Sequence, residues 1–234
     1  GYSATATMSP SAIDLEGFLG FAGVTRDAIA SGIFDGARCH LFATSFLAPV
    51  EDYEPIVASI MGKTTLEDDK YRIEEMALVD ALNQSVGKTY SAACRKTFGG
   101  QEYAGCMIAL GPLTVTGTLS AVTSSSIVRD AGRSEAADYF GLGTLQFTSG
   151  LNAGLKPMEI KRHEADGTLE TFEPFHYPPT IGDAYSLIPG CRKRLEDCRD
   201  KWEPILLTGK GNVDNFGGFS NIPTSSQYAE IGTR

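Results

Sequence analysis

Short runs in which apolar and polar residues alternate recur along the chain, and few stretches repeat at a helical spacing. In DGARCHLFATSFL, Ala37, Cys39, Leu41 and Ala43 alternate with Arg38, His40, Phe42 and Thr44, a period of two that predicts a strand with one buried face. YRIEEMALVDALNQSVG opens on the same alternation and then predicts a short helix around residues 77–84, stopped by Gly87. The cleanest strand pattern is LTVTGTLSAV (113–122), with Leu113, Val115, Leu119 and Ala121 on one face and hydroxyls on the other. GTLQFTSG, MEIKRHEADGTLETFEPF with a hairpin turn at Asp166-Gly167, and GDAYSLIPG continue the pattern. A helical segment is predicted over 191–203, ending at Pro204, and the Gly/Asn/Ser-rich remainder reads as an extended tail docked through its aromatics. Short strands at regular spacing predict a mainly β (α+β) fold of small barrels or sandwiches with short helices.

Composition adds bounds. The chain has 234 residues, enough for one large domain or two small ones with real cores. Its hydrophobic share of 42% and charged share of 21% are those of an ordinary globular protein. No apolar run reaches the roughly 18 residues that span a bilayer, so no membrane-spanning helix is expected. The chain opens on GYSATATMSP without an initiating Met, and the true N-terminus is expected to lie upstream. The net charge is −9 and uneven: residues 1–90 carry 13 acidic and six basic side chains, residues 91–234 carry 16 and 14. An acidic first part disfavours sequence-specific nucleic-acid binding, which needs a basic face to release counterions. Such a surface serves solubility, or lets DNA pass without sticking.

The five cysteines change the picture more. Cys39 falls on the apolar face of its strand, where a buried core thiol is the expectation. The other four form two local pairs, Cys94-x11-Cys106 and Cys191-x6-Cys198, in Gly-flanked or charged surroundings. Two disulfides, four separate buried thiols, or one four-thiolate metal site all fit that pattern. On a continuous helix Cys191 and Cys198 share a face but stand about 10.5 Å apart, a long reach for the ~4 Å sulfur spacing of tetrahedral zinc. A bulkier iron–sulfur cluster suits wide spacing better, and Arg95, Lys96, Arg192, Lys193, Arg194 and Arg199 offer charge to offset it.

No catalytic site assembles. His40, His163 and His176 lack the HExxH or nucleophile-elbow context, and Cys191 with His163 is the nearest approach to a Cys/His peptidase pair. GLGTLQFTSG and FGGF lack the GK[ST] ending of a phosphate loop. A non-enzymatic role is the expectation.

Together, GCRKRLEDCRDKW and GNVDNFGGFSNIP resemble the C-terminal signature of phage tail-tip proteins, the lambda-type minor tail protein L and the related hub proteins of siphophages and gene transfer agents. VGKTYSAACRKTFGGQEYAGCM is similar to that family's first cysteine pair, and LTVTGTLSAV, FTSGLNAG and IGDAYSLIPG to its intervening β-domain. The chain departs from many members in having Asn215-Phe216-Gly217-Gly218-Phe219, with Gly217 where they have Arg, and in the inserted EPILLTGKG before Asn212. The resemblance implies that the family's usual leading β-segment lies upstream of Gly1 and that this chain starts within that first domain.

The resemblance implies that Cys94, Cys106, Cys191 and Cys198 ligate a [4Fe–4S] cluster that ties the C-terminal domain together; a structural four-Cys zinc site in a β-rich binding module is the alternative. It implies an N-terminal hub domain over 1–90, a β-barrel domain with the cluster over 91–203, and an extended segment over 204–234. Gly217 and Gly218 would bring the tail backbone close to the cluster, and Phe216 and Phe219 would seal it from water. The implied setting is the virion tail tip, assembled in a bacterial host's cytoplasm. There a homotrimeric ring would adapt the tail tube to the tip. Its neighbours would be the distal tail or tube protein above, the central tip, receptor-binding or fibre protein below, and possible contact with the tape measure. The acidic residues of 1–90 would then line a DNA-repelling channel.

Overall fold

The computed structural model describes residues 13–20, 24–45, 47, 53–78, 87 and 90–220. The chain divides into two compact units, residues 1–87 and 88–234.

Among the described residues, unit 1 is an antiparallel sheet of β1 (Ile13–Phe18), β2 (Arg38–Thr44), β3 (Tyr53–Leu66) and β4 (Lys70–Ala77), in the order β1-β4-β3-β2, with the short helix α1 (Arg26–Ala30). The Thr25 side chain caps α1 by accepting the Ala28 N–H at 3.2 Å. The alternation read over residues 37–44 holds at Cys39 and Leu41, which are half-buried between exposed neighbours. The register of β3 on β4 shifts between Met61 and Thr64, at Gly62, where a Cβ would stand 2.8 Å from the Glu74 carbonyl oxygen. β4 runs through Ala77, because Ile73, Glu75 and Ala77 keep alternating inward; Leu78 is helical, one residue after the expected start of the short helix, and residues 79–86 lie outside the described residues.

Unit 2 holds β5 (Val115–Thr118), β6 (Ala121–Val122), β7 (Ile127–Arg129), β8 (Thr144–Phe147), β9 (Met158–His163), β10 (Thr168–Thr171) and β11 (Ala184–Ile188), in the order β5-β11-β8-β9-β10-β7-β6. Every pairing is antiparallel. β5 and β6 are two residues apart in sequence yet stand at opposite ends of this order, so the sheet must curl back on itself. Its two curled halves share β9, and both bury side chains inward. The expected single strand over 113–122 is therefore two. The Leu119 N–H still bonds to Asp183 beside β11, whereas the next residue, Ser120, bonds to Arg129 of β7. Leu113 sits in a 3-10 turn (Gly111–Leu113) opened by Pro112. The hairpin at Asp166-Gly167 is present, with Gly167 at φ +84°.

The core of unit 2 packs Leu119, Val128, Phe140, Leu145, Phe147, Ile160, Leu169, Phe175, Tyr185 and Leu187. Each such large apolar side chain contributes about 1.5–3 kcal/mol on burial. One polar pair enters: the fully buried Tyr185 hydroxyl donates to the buried Asp130 carboxylate. Outside the sheet, residues 90–114 and 189–220 are mostly turns and irregular chain, with α2 (Glu203–Leu206) and three short 3-10 or π turns.

Candidate functional site

The expected helix over 191–203 is broken, and the break shapes the site. Lys193 takes a left-handed conformation (φ +62°), so Cys191 precedes the helical segment instead of sitting two turns along it. Asp197–Lys201 is then wound as a π-turn, a wider form common at functional sites. Pro204 does not end a helix but opens α2, in whose first turn its missing N–H costs nothing.

Freed from one helix axis, Cys191 and Cys198 line a single cavity with Cys94 and Cys106. Lys96, Phe98, Ile108, Lys193, Trp202 and Asn212 complete its wall, and the side chains leave a cavity of only about 10 Å3 between them. All five cysteines are free thiols; Cys94, Cys106 and Cys198 are buried and Cys191 is half-buried. Burial first, then the nearness of Cys191, Cys94 and Cys106, pushes the Cys198 thiol up to about 12. Burial also raises Cys191, against the lowering influence of Lys193. Four thiolates there would repel one another unless a cation stood among them.

Backbone geometry is built for sulfur. The Gly99 N–H points at Cys106 Sγ (3.2 Å) and the Gly217 N–H at Cys94 Sγ (3.3 Å). A Cβ at Gly217 would stand 2.7 Å from Lys96 Cγ, so this close approach needs glycine. The two cysteine segments clasp reciprocally: the Cys94 N–H donates to the Lys193 carbonyl (2.8 Å), and Lys193 Nζ donates to the Lys96 carbonyl (2.6 Å). Asn212 closes the third side, its N–H on the Cys198 carbonyl (2.8 Å) and its Nδ2 on the Cys106 carbonyl (2.7 Å). Asp197 is buried and takes the Arg192 N–H (3.0 Å) and guanidinium (2.7 Å), fixing the Cys191–Cys198 loop. Burial opposes its charge, but the Arg192 bonds outweigh burial and hold its carboxyl below the usual range. Lys201 Nζ donates to the carbonyls of Tyr139 and Gly190, both at 2.6 Å.

The expected aromatic seal is differently composed. Phe216 and Phe219 do not line the cavity; Phe219 packs edge-on against Tyr90 (4.7 Å) under Arg95 and is 41% exposed. Phe98 and Trp202, stacked at 5.2 Å, close it instead with Ile108. These are far apart in sequence, so no local pattern reveals the pair. Cys39 lies in unit 1, half-buried rather than in an apolar core. Its thiol is pushed up to about 11 by burial and by hydrogen bonding to Glu75, whose Oε2 accepts from Ser59 Oγ at 2.6 Å. His163 is buried in unit 2 with neither ring nitrogen bonded among the described residues.

A zinc ion needs three or four donors closing on one point. Among the described residues no group of three or more His, Cys, Asp or Glu does so. Four thiols lining one cavity are a soft sulfur donor set of the kind an iron–sulfur group takes, and zinc as well. The inward N–H groups, the flanking lysines and the apolar aromatic wall fit the same group.

Comparison with known proteins agrees with the motifs. Residues 1–109 match the family described as baseplate hub protein, N-terminal attachment domain, and residues 138–226 match the phage conserved hypothetical protein BR0599 family. The first match contains Cys94 and Cys106, the second Cys191 and Cys198. Both models describe phage proteins, and each covers less than half of the chain. A chain from the virion of a native gene transfer agent particle has the same fold, with a TM-score of 0.73 at 24% identity, over 96% of this chain and 75% of that one. No curated protein matches. No helix among the described residues is long and apolar enough to cross a membrane.

Proposed function

We propose that the protein is a structural component of the tail-tip hub of a phage-like virion, a ring of three copies joining the tail tube to the tip. The observation that carries the reading is the hub attachment-domain match over residues 1–109, supported by the fold shared with a chain of a gene transfer agent virion. Within that reading, Cys94, Cys106, Cys191 and Cys198 hold a [4Fe–4S] cluster, which when bound supplies metal–thiolate bonds that cross-link the two cysteine segments. The chain's own residues do the rest. Gly99 and Gly217 aim N–H groups at the sulfurs, Lys193 and Asn212 hold the segments in register, and Phe98 with Trp202 keeps water out. The acidic residues of 1–90 would face the lumen, where fixed negative charge keeps DNA hydrated and moving.

The test is particle assembly. Deleting the gene should leave tails without a completed tip, and quantitative mass spectrometry of intact particles should find about three copies in each. Normal infectious particles from the deletion strain would contradict the proposal.

A further inference from the structure

Trp202 is the only tryptophan of the chain and is 1% exposed. Its ring lines the thiol cavity, yet its Nε1 has no hydrogen-bond partner among the described residues. Buried indole N–H groups nearly always find an acceptor, because leaving one unpaired is costly. The ring cannot turn to look for one: it stacks on Phe98 at 5.2 Å, and Lys201 Nζ sits 5.1 Å from the ring centre. Several donors at the wall are already committed, Asn212 and Lys193 to carbonyls and the Gly99 and Gly217 N–H groups to thiol sulfurs. What the cavity lacks is an acceptor for Trp202, and what a sulfur-rich anionic group lacks is donors.

We propose that Trp202 is a positioning residue whose indole N–H donates to a sulfur of the bound iron–sulfur group, holding it in place and raising its reduction potential. The inference rests on the cluster reading and adds a residue that no cysteine motif points to. A hydrogen bond to sulfur offsets negative charge and makes the reduced form easier to reach. The same N–H is a liability in the metal-free protein, where it is buried with nothing to bind.

Trp202→Phe keeps the stack on Phe98 and removes the donor. In anaerobically prepared protein, the variant should show a more negative midpoint potential and release iron to a chelator several-fold faster than wild type. The metal-free variant should melt no lower than metal-free wild type, so the sign of the effect depends on occupancy. The wild type gives a second readout that needs no variant. With 15N-tryptophan, its single indole N–H resonance should move between metal-free and iron-loaded protein. An unmoved resonance, or equal potential and release rate in a folded, iron-loaded variant, overturns the role of Trp202 alone. Wild-type protein that takes up no iron overturns the cluster reading and this inference with it.

Discussion

Unit 2 contains two regions held together in opposite ways. The curled sheet closes its backbone hydrogen bonds strand to strand and buries ten apolar side chains around Leu145 and Tyr185. The thiol region is turns and broken helices, with a buried cluster of only Cys106, Ile108, Leu113 and Trp202. The first has what a domain needs to fold. The second has a smaller apolar cluster, and it sets two backbone N–H groups, those of Gly99 and Gly217, on cysteine sulfurs, with Asn212 bonded to the Cys106 and Cys198 carbonyls. On the proposed reading, this region draws part of its stability from the group that fills the cavity.

Cys198→Ser breaks that comparison hardest. It should abolish iron retention and remove a cross-link closing a loop of roughly a hundred residues, a loss near 5 kcal/mol if the entropy of disulfide loops transfers. Hydrogen exchange should rise in residues 90–114 and 189–220 while β8, β9 and β11 stay protected. Cys39→Ser, in unit 1, should keep its iron. Leu145→Ala attacks the other region. Its side chain is fully buried in the sheet core, and the cavity should cost about 3–4 kcal/mol in denaturant unfolding, with the iron content of the folded fraction unchanged.

Asp197→Asn should have a smaller, local effect. It loosens the bidentate pair with Arg192 that fixes the Cys191–Cys198 loop, at a cost of about 1–2 kcal/mol because Arg192 is partly exposed. Iron release should quicken without global unfolding. His163 gives the smallest effect, read through pH. Burial holds its imidazole below the ordinary value, and the nearby Glu135, Asp138 and Asp166 only partly offset this. The unfolded state therefore binds the extra proton first. Stability should be complete above about pH 6.5 and fall on acidification until the folded-state value is reached. His163→Phe should remove that part of the pH dependence, and an unchanged pH profile would contradict it.

The same contrast explains what could be read from the sequence. The sheet was legible because strand alternation is local: Leu145 and Phe147, Leu169 and Thr171, Tyr185 and Leu187 all point inward at period two. It misled at Leu113, which sits in a 3-10 turn before β5, and at Leu119–Ser120, where the apolar pattern continues while the chain changes partner strand. In the thiol region the cysteine spacings were legible and the local structure was not. A charged run before Pro204 looks helical, and nothing local announces that Lys193 turns left-handed to clasp Lys96, nearly a hundred residues away. Trp202 escaped for the same reason, since its stacking partner Phe98 belongs to the other cysteine segment.

The most direct test of the account is the iron and acid-labile sulfide content of the full chain, purified without oxygen. Four thiols acting as one cluster site predict about four irons and about four sulfides per chain, with Cys39 as the one thiol that still reacts under native conditions once exposed by local opening. One zinc per chain, or no metal with all five thiols of the folded protein open to titration, would contradict it.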